Sequence, residues 1–387
     1  MKILFILSRF PYPLEKGDKL RAYHQIKNLS KQHEVTVFAL NDGSLDKATI
    51  AQVKQICSDV EVFHISKARI AINVFKALFK RIPLQVAYFY SIKAQHRLNE
   101  IILQKKPDHI FCQLIRTAEY IRGSNGLPNT LDYMDVFSKG FERRLASAPF
   151  YLRPIFKMEY KRLATYEKEI FSSFKNKIII SKQDRNLIPH PEKEKIAIIS
   201  NGVDTDYFKP VKEKKEFDIL FNGNMHYPPN IESAEYLVHK ILPLVKKKYP
   251  RVKVLISGTN PNQRILSLAS ENVKISGWVK DIRENFSRSR ILVAPMFMSI
   301  GLQNKLLEAM AMQIPCITST LANNALGAEN GKSILIADTP EEYASSILLL
   351  LEKDSWAREI AINGYNFVLQ NYNWEKETNK LESLLLQ

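Results

Sequence analysis

The stretch Lys2–Ala39, KILFILSRFPYPLEKGDKLRAYHQIKNLSKQHEVTVFA, decides the fold class. Ile3–Ser8 opens with an unbroken apolar run of strand length, too short to serve as a membrane-crossing helix. Asp18–Lys31 has helical patterning, and Glu34–Ala39 returns to β-branched and aromatic residues. Strand, helix, strand in that order predicts a β-α-β unit and a parallel sheet covered on both faces. Outward from it, strands are expected at Val60–Ile65, His109–Gln113, Asn129–Asp132 and Lys177–Ser181, with helical stretches at Lys93–Gln104 and Arg153–Phe174. A second series follows the charged linker Lys212–Glu216, with strands at Asp218–Asn222, Val252–Gly258, Val273–Ser276, Ile291–Ala294, Cys316–Thr318 and Ile334–Ala337. The expectation is an α/β protein of two Rossmann-like, doubly wound domains, 1–205 and 206–373, facing a cleft. An amphipathic helix over 374–387 is expected to return to the first domain.

Composition narrows the class. The 387 residues are 45% hydrophobic with 39 aromatics, enough to build two cores and against disorder throughout. Cys57, Cys112 and Cys316 lie too far apart in sequence for a disulfide framework or the paired cysteines of a structural zinc site, which points to the cytoplasm. The start lacks the long apolar core of a signal peptide, and no run reaches the length of a spanning helix. Net charge is +16, and residues 1–200 hold 34 Lys and Arg against 19 Asp and Glu, so +15 of it sits in the first half. That field favours an anionic partner. None of the 13 glycines forms a GxGxxG turn and no GxxxxGK[ST] loop exists, which turns the reading away from NAD enzymes and P-loop NTPases.

In doubly wound sheets, ligands bind beyond the carboxyl ends of the strands. The informative segment there is GLQNKLLEAM, Gly301–Met310, a loop that enters a helix directly after the strand Ile291–Ala294. A helix N-terminus at Gly301, Gln303 and Asn304 offers free N–H groups to a phosphate, Lys305 adds a full charge, and Glu308 one turn later suits the vicinal hydroxyls of a ribose. The same spacing also describes an ordinary solvated Lys–Glu pair.

Gly301–Ser319, GLQNKLLEAMAMQIPCITS, and Ser200–Pro210, SNGVDTDYFKP, resemble the retaining family-4 glycosyltransferases of GT-B fold. Arg9–Ser30, Leu131–Ser138 and Asn224–Ser233 are most similar to the bacterial exopolysaccharide and PEP-CTERM-associated sugar transferases, so the resemblance runs over nearly the whole chain. It implies transfer of a hexose from a nucleotide-sugar, UDP- or GDP-linked, with retention of configuration and no bound metal or other cofactor. Lys305 then acts on the leaving diphosphate, and Lys16, Gly17 and Lys19 form the loop of the first domain that approaches the donor. The family often carries an acid eight residues before Glu308, where this chain has Ile300, and a cationic pair after the first strand of the second domain, where it has Gly223–Tyr227. Asp135, after the strand Asn129–Asp132, falls near the acceptor and is the candidate for orienting the attacking hydroxyl; helix capping is its plainer role. Phe10–Pro13 is a candidate acceptor wall, and His24 and His226 are candidate donor contacts or plain structural hydrogen-bonders.

Lys67–Tyr90 mixes Arg69, Lys76, Lys80 and Arg81 with seven large apolar residues. Read as one helix ending at Pro83, it either covers the sheet with Phe and Ile inward or lies on an anionic membrane surface. The leading expectation is a cytoplasmic glycosyltransferase, peripheral on the inner face of the membrane, acting on a polysaccharide or polyprenyl-linked glycan precursor. The competing readings are a nucleotide-sugar epimerase or phosphorylase of the same shape and, from another class, a basic nucleic-acid-binding protein. The latter leaves Glu308 and the second domain unexplained, so no nucleic-acid partner is expected.

Overall fold

The computed structural model describes residues 1–123, 126–297 and 301–387. The chain divides into two compact units, Met1–Ser200 with Trp374–Gln387, and Asn201–Asn373. The sheet of the first unit contains β1 (Lys2–Leu7), β2 (Glu34–Asn41), β3 (Asp59–His64), β4 (His109–Gln113), β5 (Asn129–Asp132), β6 (Asn176–Ile179) and β7 (Ala197–Ile198) in the order β3-β2-β1-β4-β5-β6-β7. All its pairings are parallel. β1 shows why: Ile3, Phe5 and Leu7 enter one apolar cluster while Leu4 and Ile6 enter the other, so both faces are covered. One cover is the helix Gly17–Leu29 through Ala22, Ile26 and Leu29; the other includes Leu98, Leu163 and Tyr166.

The helix Trp374–Leu385 completes the first unit. Leu381 and Leu385 are buried in the same cluster as Ala22 and Ile26, and Trp374 stacks on His24 with ring centroids 4.7 Å apart. Glu377 accepts from the Ser200 N–H at 2.8 Å, and Asn28 donates to Thr378 at 3.4 Å. The seam between the units therefore falls at Ser200, ahead of the expected residue 205. The reason is local: the Val203 N–H donates to the Tyr372 carbonyl at 2.9 Å, and Asn201 donates to Asn304 at 3.2 Å, so the chain joins the second unit before the charged stretch begins. That stretch is not a free linker either, since Lys215 donates to the carbonyls of Ser287 and Ser289.

The second unit is built on β8 (Phe217–Asn222), β9 (Val254–Ser257), β10 (Val273–Gly277), β11 (Ser289–Ala294), β12 (Cys316–Thr318) and β13 (Leu335–Ile336), ordered β10-β9-β8-β11-β12-β13 and again parallel. Its order reverses beside β8 and β11, which opens a crevice at their carboxyl ends.

The helix expected to end at Pro83 already ends at Leu78, and a second one follows the proline. Ser66 caps Lys67–Leu78, and Leu84–Phe89 starts directly after Pro83. Nor do the aromatics of the first helix and its end point inward: Ile70 and Ala77 are buried, but Phe75 is 62% and Phe79 78% exposed. The sheet face is already filled by Val86 and Phe89.

A fully buried ion pair locks the first unit at its carboxyl edge. Arg21 Nε donates to Asp132 at 2.5 Å and the Nη2 at 3.3 Å, joining the helix Gly17–Leu29 to the end of β5. Asp132→Ala, which strips the buried guanidinium of this counter-charge, is expected to cost about 3–5 kcal/mol. Urea unfolding followed by first-unit fluorescence measures it; a loss below about 1 kcal/mol would show that the pair does not hold the edge.

Candidate functional site

The strongest constellation in the second unit lies at the carboxyl ends of β8, β9 and β11. Gly301 adopts φ 81°, a conformation that favours glycine, and the helix Asn304–Ala311 follows with Gln303 at its N-cap. The Gln303 side chain makes no capping bond and instead donates to the Gly301 carbonyl at 3.1 Å. Ile300, the apolar residue at the family's acidic position, lies outside the described residues.

Lys305 does not project to the helix N-terminus as the sequence suggests. It is buried, and its Nζ donates to Asn230 Oδ1 at 2.8 Å and lies 4.6 Å from the Phe221 ring centroid. Burial pushes its pKa down to about 7, with Glu308 the opposing influence. Glu308 is half-buried, and burial raises its carboxyl to about 7 against the pull of Lys305. Its carboxylate accepts no protein hydrogen bond among the described residues and is therefore open to hydroxyl donors.

Asn230 is the residue that the sequence reading missed. It lies in the first turn of the helix Pro228–Tyr236, and besides holding Lys305 it donates to the Asn224 carbonyl at 3.0 Å. The space it occupies exists because Gly223 has no side chain: a Cβ there would sit 2.7 Å from Asn230 Nδ2. Gly258 is constrained in the same way, since a Cβ would fall 1.6 Å from the Gly223 carbonyl. The signal was present as a glycine at the end of each strand, but pairing across the sheet is not written in one strand's sequence. His226, on the exposed loop of this cradle, donates its backbone N–H to Asn224 Oδ1 at 3.0 Å.

In the first unit, the expected loop residues stand at the start of the helix Gly17–Leu29. Lys16 is its N-cap, extended and without a side-chain cap, and both Lys16 and Gly17 are exposed. Lys19 turns back to the Tyr12 carbonyl at 3.4 Å, and burial, with Lys16 beside it, lowers its pKa. Phe10 is fully buried, so of the Phe10–Pro13 wall only Tyr12 and Pro13 reach the surface. His24 is buried against Trp374 and is structural rather than ligand-facing.

Asp135 lies beyond β5, where Met134 takes φ 60° and the Asp135 N–H donates to the Tyr133 carbonyl. Its Oδ1 is buried without a donor, and burial, reinforced by Asp184, pushes the carboxyl up to about 7. Two more carboxyls share this edge. Glu167, raised by burial to about 7, accepts from Ser138 Oγ at 2.5 Å, and Asp184, raised to about 6, accepts from Ser181 Oγ at 2.5 Å. Among the described residues, no group of three or more His, Cys, Asp or Glu is arranged to hold a metal ion.

Comparison with known proteins bears on the fold and the family of the second unit. Residues 216–353 match the family model described as glycosyl transferases group 1, which spans the crevice of the second unit. Over 401 aligned residues, and 97% of each chain, the protein is 24% identical to an uncharacterized 44.6 kDa protein in the cps region of Klebsiella pneumoniae. It is 23% identical over 253 residues to an uncharacterized glycosyltransferase of Methanocaldococcus jannaschii, covering 59% of this chain and 62% of that one. Among solved structures, sucrose-phosphate synthase of Thermosynechococcus elongatus superimposes with a TM-score of 0.74 at 15% identity, covering 99% and 98% of the two chains. HepE of Anabaena, solved with UDP-glucose, has a TM-score of 0.70 at 15% identity and covers 100% and 99%. The two parallel-sheet units are those of the GT-B fold, and the group 1 domain together with these neighbours supports a sugar transferase.

Proposed function

We propose that the chain is a retaining, family-4 hexosyltransferase that moves a sugar from a UDP- or GDP-sugar to a polysaccharide or polyprenyl-linked glycan precursor at an anionic membrane surface. The observation that carries this reading is the juxtaposition of a hidden ammonium, an open carboxylate and a helix N-terminus at the β8–β11 crevice. HepE, of the same fold, has been solved with UDP, with UDP and glucose, and with UDP-glucose, which supports a nucleotide-sugar donor.

The chemistry follows from charge. When the glycosidic bond breaks, negative charge grows on the departing diphosphate, and what stabilises that charge raises turnover. Lys305 waits desolvated at an Asn230 carbonyl oxygen and an aromatic face. An arriving diphosphate favours its charged form and reverses the downward shift. Glu308 accepts the ribose hydroxyls once ionised. Lys16, Gly17 and Lys19 supply a second uncapped helix start, and Asp135 orients the acceptor hydroxyl. No metal enters this scheme, so turnover is expected to persist in EDTA; a strict Mg²⁺ or Mn²⁺ requirement would overturn that part.

The membrane reading rests on a second surface. Besides Phe75 and Phe79, the segment before the helix Arg153–Glu169 exposes Phe150 by 82% and Tyr151 by 64%. Arg162 of that helix donates to the carbonyls of Ala77 at 2.6 Å and Leu78 at 2.9 Å, and Glu159 accepts from the N–H groups of Leu84 and Gln85, tying the two segments together. Around them stand Lys76, Lys80, Arg81, Arg153 and Lys157, all exposed. Bare apolar side chains ringed by cations suit an anionic lipid interface. No helix among the described residues is long and apolar enough to cross a membrane.

The proposal is tested first at the donor site. A thermal-shift screen of UDP-, GDP-, ADP- and CMP-sugars should give stabilisation with a UDP- or GDP-sugar, lost in Glu308→Ala. Lys305→Ala should lower kcat by about 10²–10³-fold, more than it weakens donor affinity; no response to any nucleotide-sugar would remove the donor site from this crevice.

The second measurement concerns Asp135. With its carboxyl raised from 3.8 to about 7 in the folded chain, the group costs nothing below pH 4. Between pH 4 and 7 the unfolded chain ionises while the folded one keeps its proton, so stability falls as pH rises and then levels off. Asp135→Asn should therefore impair transfer yet be more stable than wild type by about 1–3 kcal/mol at pH 8, with little difference at pH 4. A pH-independent difference would show that the buried carboxyl keeps an ordinary pKa.

For the third, flotation with vesicles containing anionic lipid should recover the protein at low salt and release it at high salt. Replacing Arg69, Lys76, Lys80 and Arg81 with Gln should abolish recovery. Equal recovery of both proteins would return this surface to a purely structural role.

A further inference from the structure

The carboxyl edge of the first sheet holds a cation that the donor scheme does not use. Arg116 follows β4 after Leu114, whose φ of 66° turns the chain at the strand end. Its guanidinium lies over two aromatic rings, 5.0 Å from the Phe89 centroid and 4.8 Å from that of Phe137. With two rings against the guanidinium, its N–H donors are what remains for recognition. Nη2 donates to Gln85 Oε1 at 2.7 Å, while Nε is buried with no acceptor. Arg116 makes no ion pair among the described residues. Arg9, after β1, sets a second guanidinium 5.9 Å from the same Phe89 ring, its own charge met by Asp18 at 2.9 Å. Burial, with Arg9 adding to it, pushes Arg116 down to about 10.

Asp135 is the counterpart. Its Oδ1 is buried without a donor, and it feels the Arg116 charge without forming an ion pair. An unmatched planar donor and an unmatched carboxylate oxygen at the ligand-binding edge of a parallel sheet leave a bridging position between them. An oxyanion fits the guanidinium edge, since a stacked arginine fork matches the plane of a carboxylate or phosphate. A hydroxyl fits Asp135. One molecule offering both is an acidic sugar or a sugar phosphate.

We propose that Arg116 is the anion-binding residue of an acceptor subsite, and that the acceptor carries an oxyanion, a uronate carboxylate or a phosphate, next to a hydroxyl that donates to Asp135. This rests on the reading that the first unit takes the acceptor, and it adds the charge class of that acceptor.

The test uses the full chain labelled with ¹⁵N-arginine and follows the Nε–H resonances during titration with sodium glucuronate, inorganic phosphate or glucose. The Arg116 signal is identified by its loss in Arg116→Lys and, should that variant fail to fold, by its displacement in Gln85→Ala. The expected result is a saturable shift of that signal with an oxyanion and none with glucose. A shift with glucuronate alone assigns a sugar carboxylate, and a shift with phosphate alone assigns a phosphate. In assays with a matching acidic acceptor, Arg116→Gln should raise the acceptor KM at least tenfold with donor KM unchanged. No saturable shift with either anion, or a shift of other arginines only, overturns the proposal. UDP-sugar stabilisation of the same sample reports on the donor site separately, so either reading can fail alone.

Discussion

The arrangement of the first unit depends on the ion pair between Arg21 and Asp132. Both side chains are fully removed from solvent, and their charges are matched in two hydrogen bonds. A desolvated pair of this kind adds little net stability compared with apolar packing, but losing one member is costly. Its value here is geometric. Asp132 Oδ1 also accepts the Met134 N–H at 3.0 Å, which supports the left-handed turn at Met134 and sets where Asp135 emerges. The other end of the pair fixes the helix whose first turn carries Lys16, Gly17 and Lys19. One interaction thus positions the Asp135 carboxyl and the basic loop relative to the same sheet edge.

Nearly the whole sheet architecture was legible because buried parallel strands read as short apolar runs between helical stretches. β4, β5 and β12 fall at the residues their sequence predicts. The two-residue strand β7, Ala197–Ile198, was hidden because nothing in so short a segment distinguishes it from a loop. Phe75 and Phe79 misled for a different reason: apolar residues at helical spacing imply a buried face only if a partner face is available, and Val86 and Phe89 of the next helix had already taken it.

The site was legible by type and obscure by direction. Gly301, Lys305 and Glu308 stand on one loop and helix as their spacing requires, yet the Lys305 side chain turns to Asn230, seventy-five residues away in sequence. That contact depends on Gly223 and Gly258 leaving room across two strands. Arg21 and Arg116 were invisible for a related reason. A single arginine in an apolar stretch reads as a surface charge, and only the fold reveals that one meets Asp132 in the interior and the other lies against Phe89 and Phe137.

Lys305 and Arg116 share a physical strategy. Each is a cation taken largely out of water, lowered by burial, and held against aromatic rings and one amide oxygen instead of a carboxylate. A ring face and an amide dipole offset part of the desolvation cost without neutralising the charge. A tight internal carboxylate would stabilise the empty protein and would have to be displaced by the ligand. Weak, neutral partners leave the full charge for an incoming anion, and in a medium of low dielectric that attraction is stronger than it would be at the surface. Glu308 and Asp135 stand near these cations without closing an ion pair, so on the proposed reading their oxygens stay available to hydroxyls and the cations to an oxyanion.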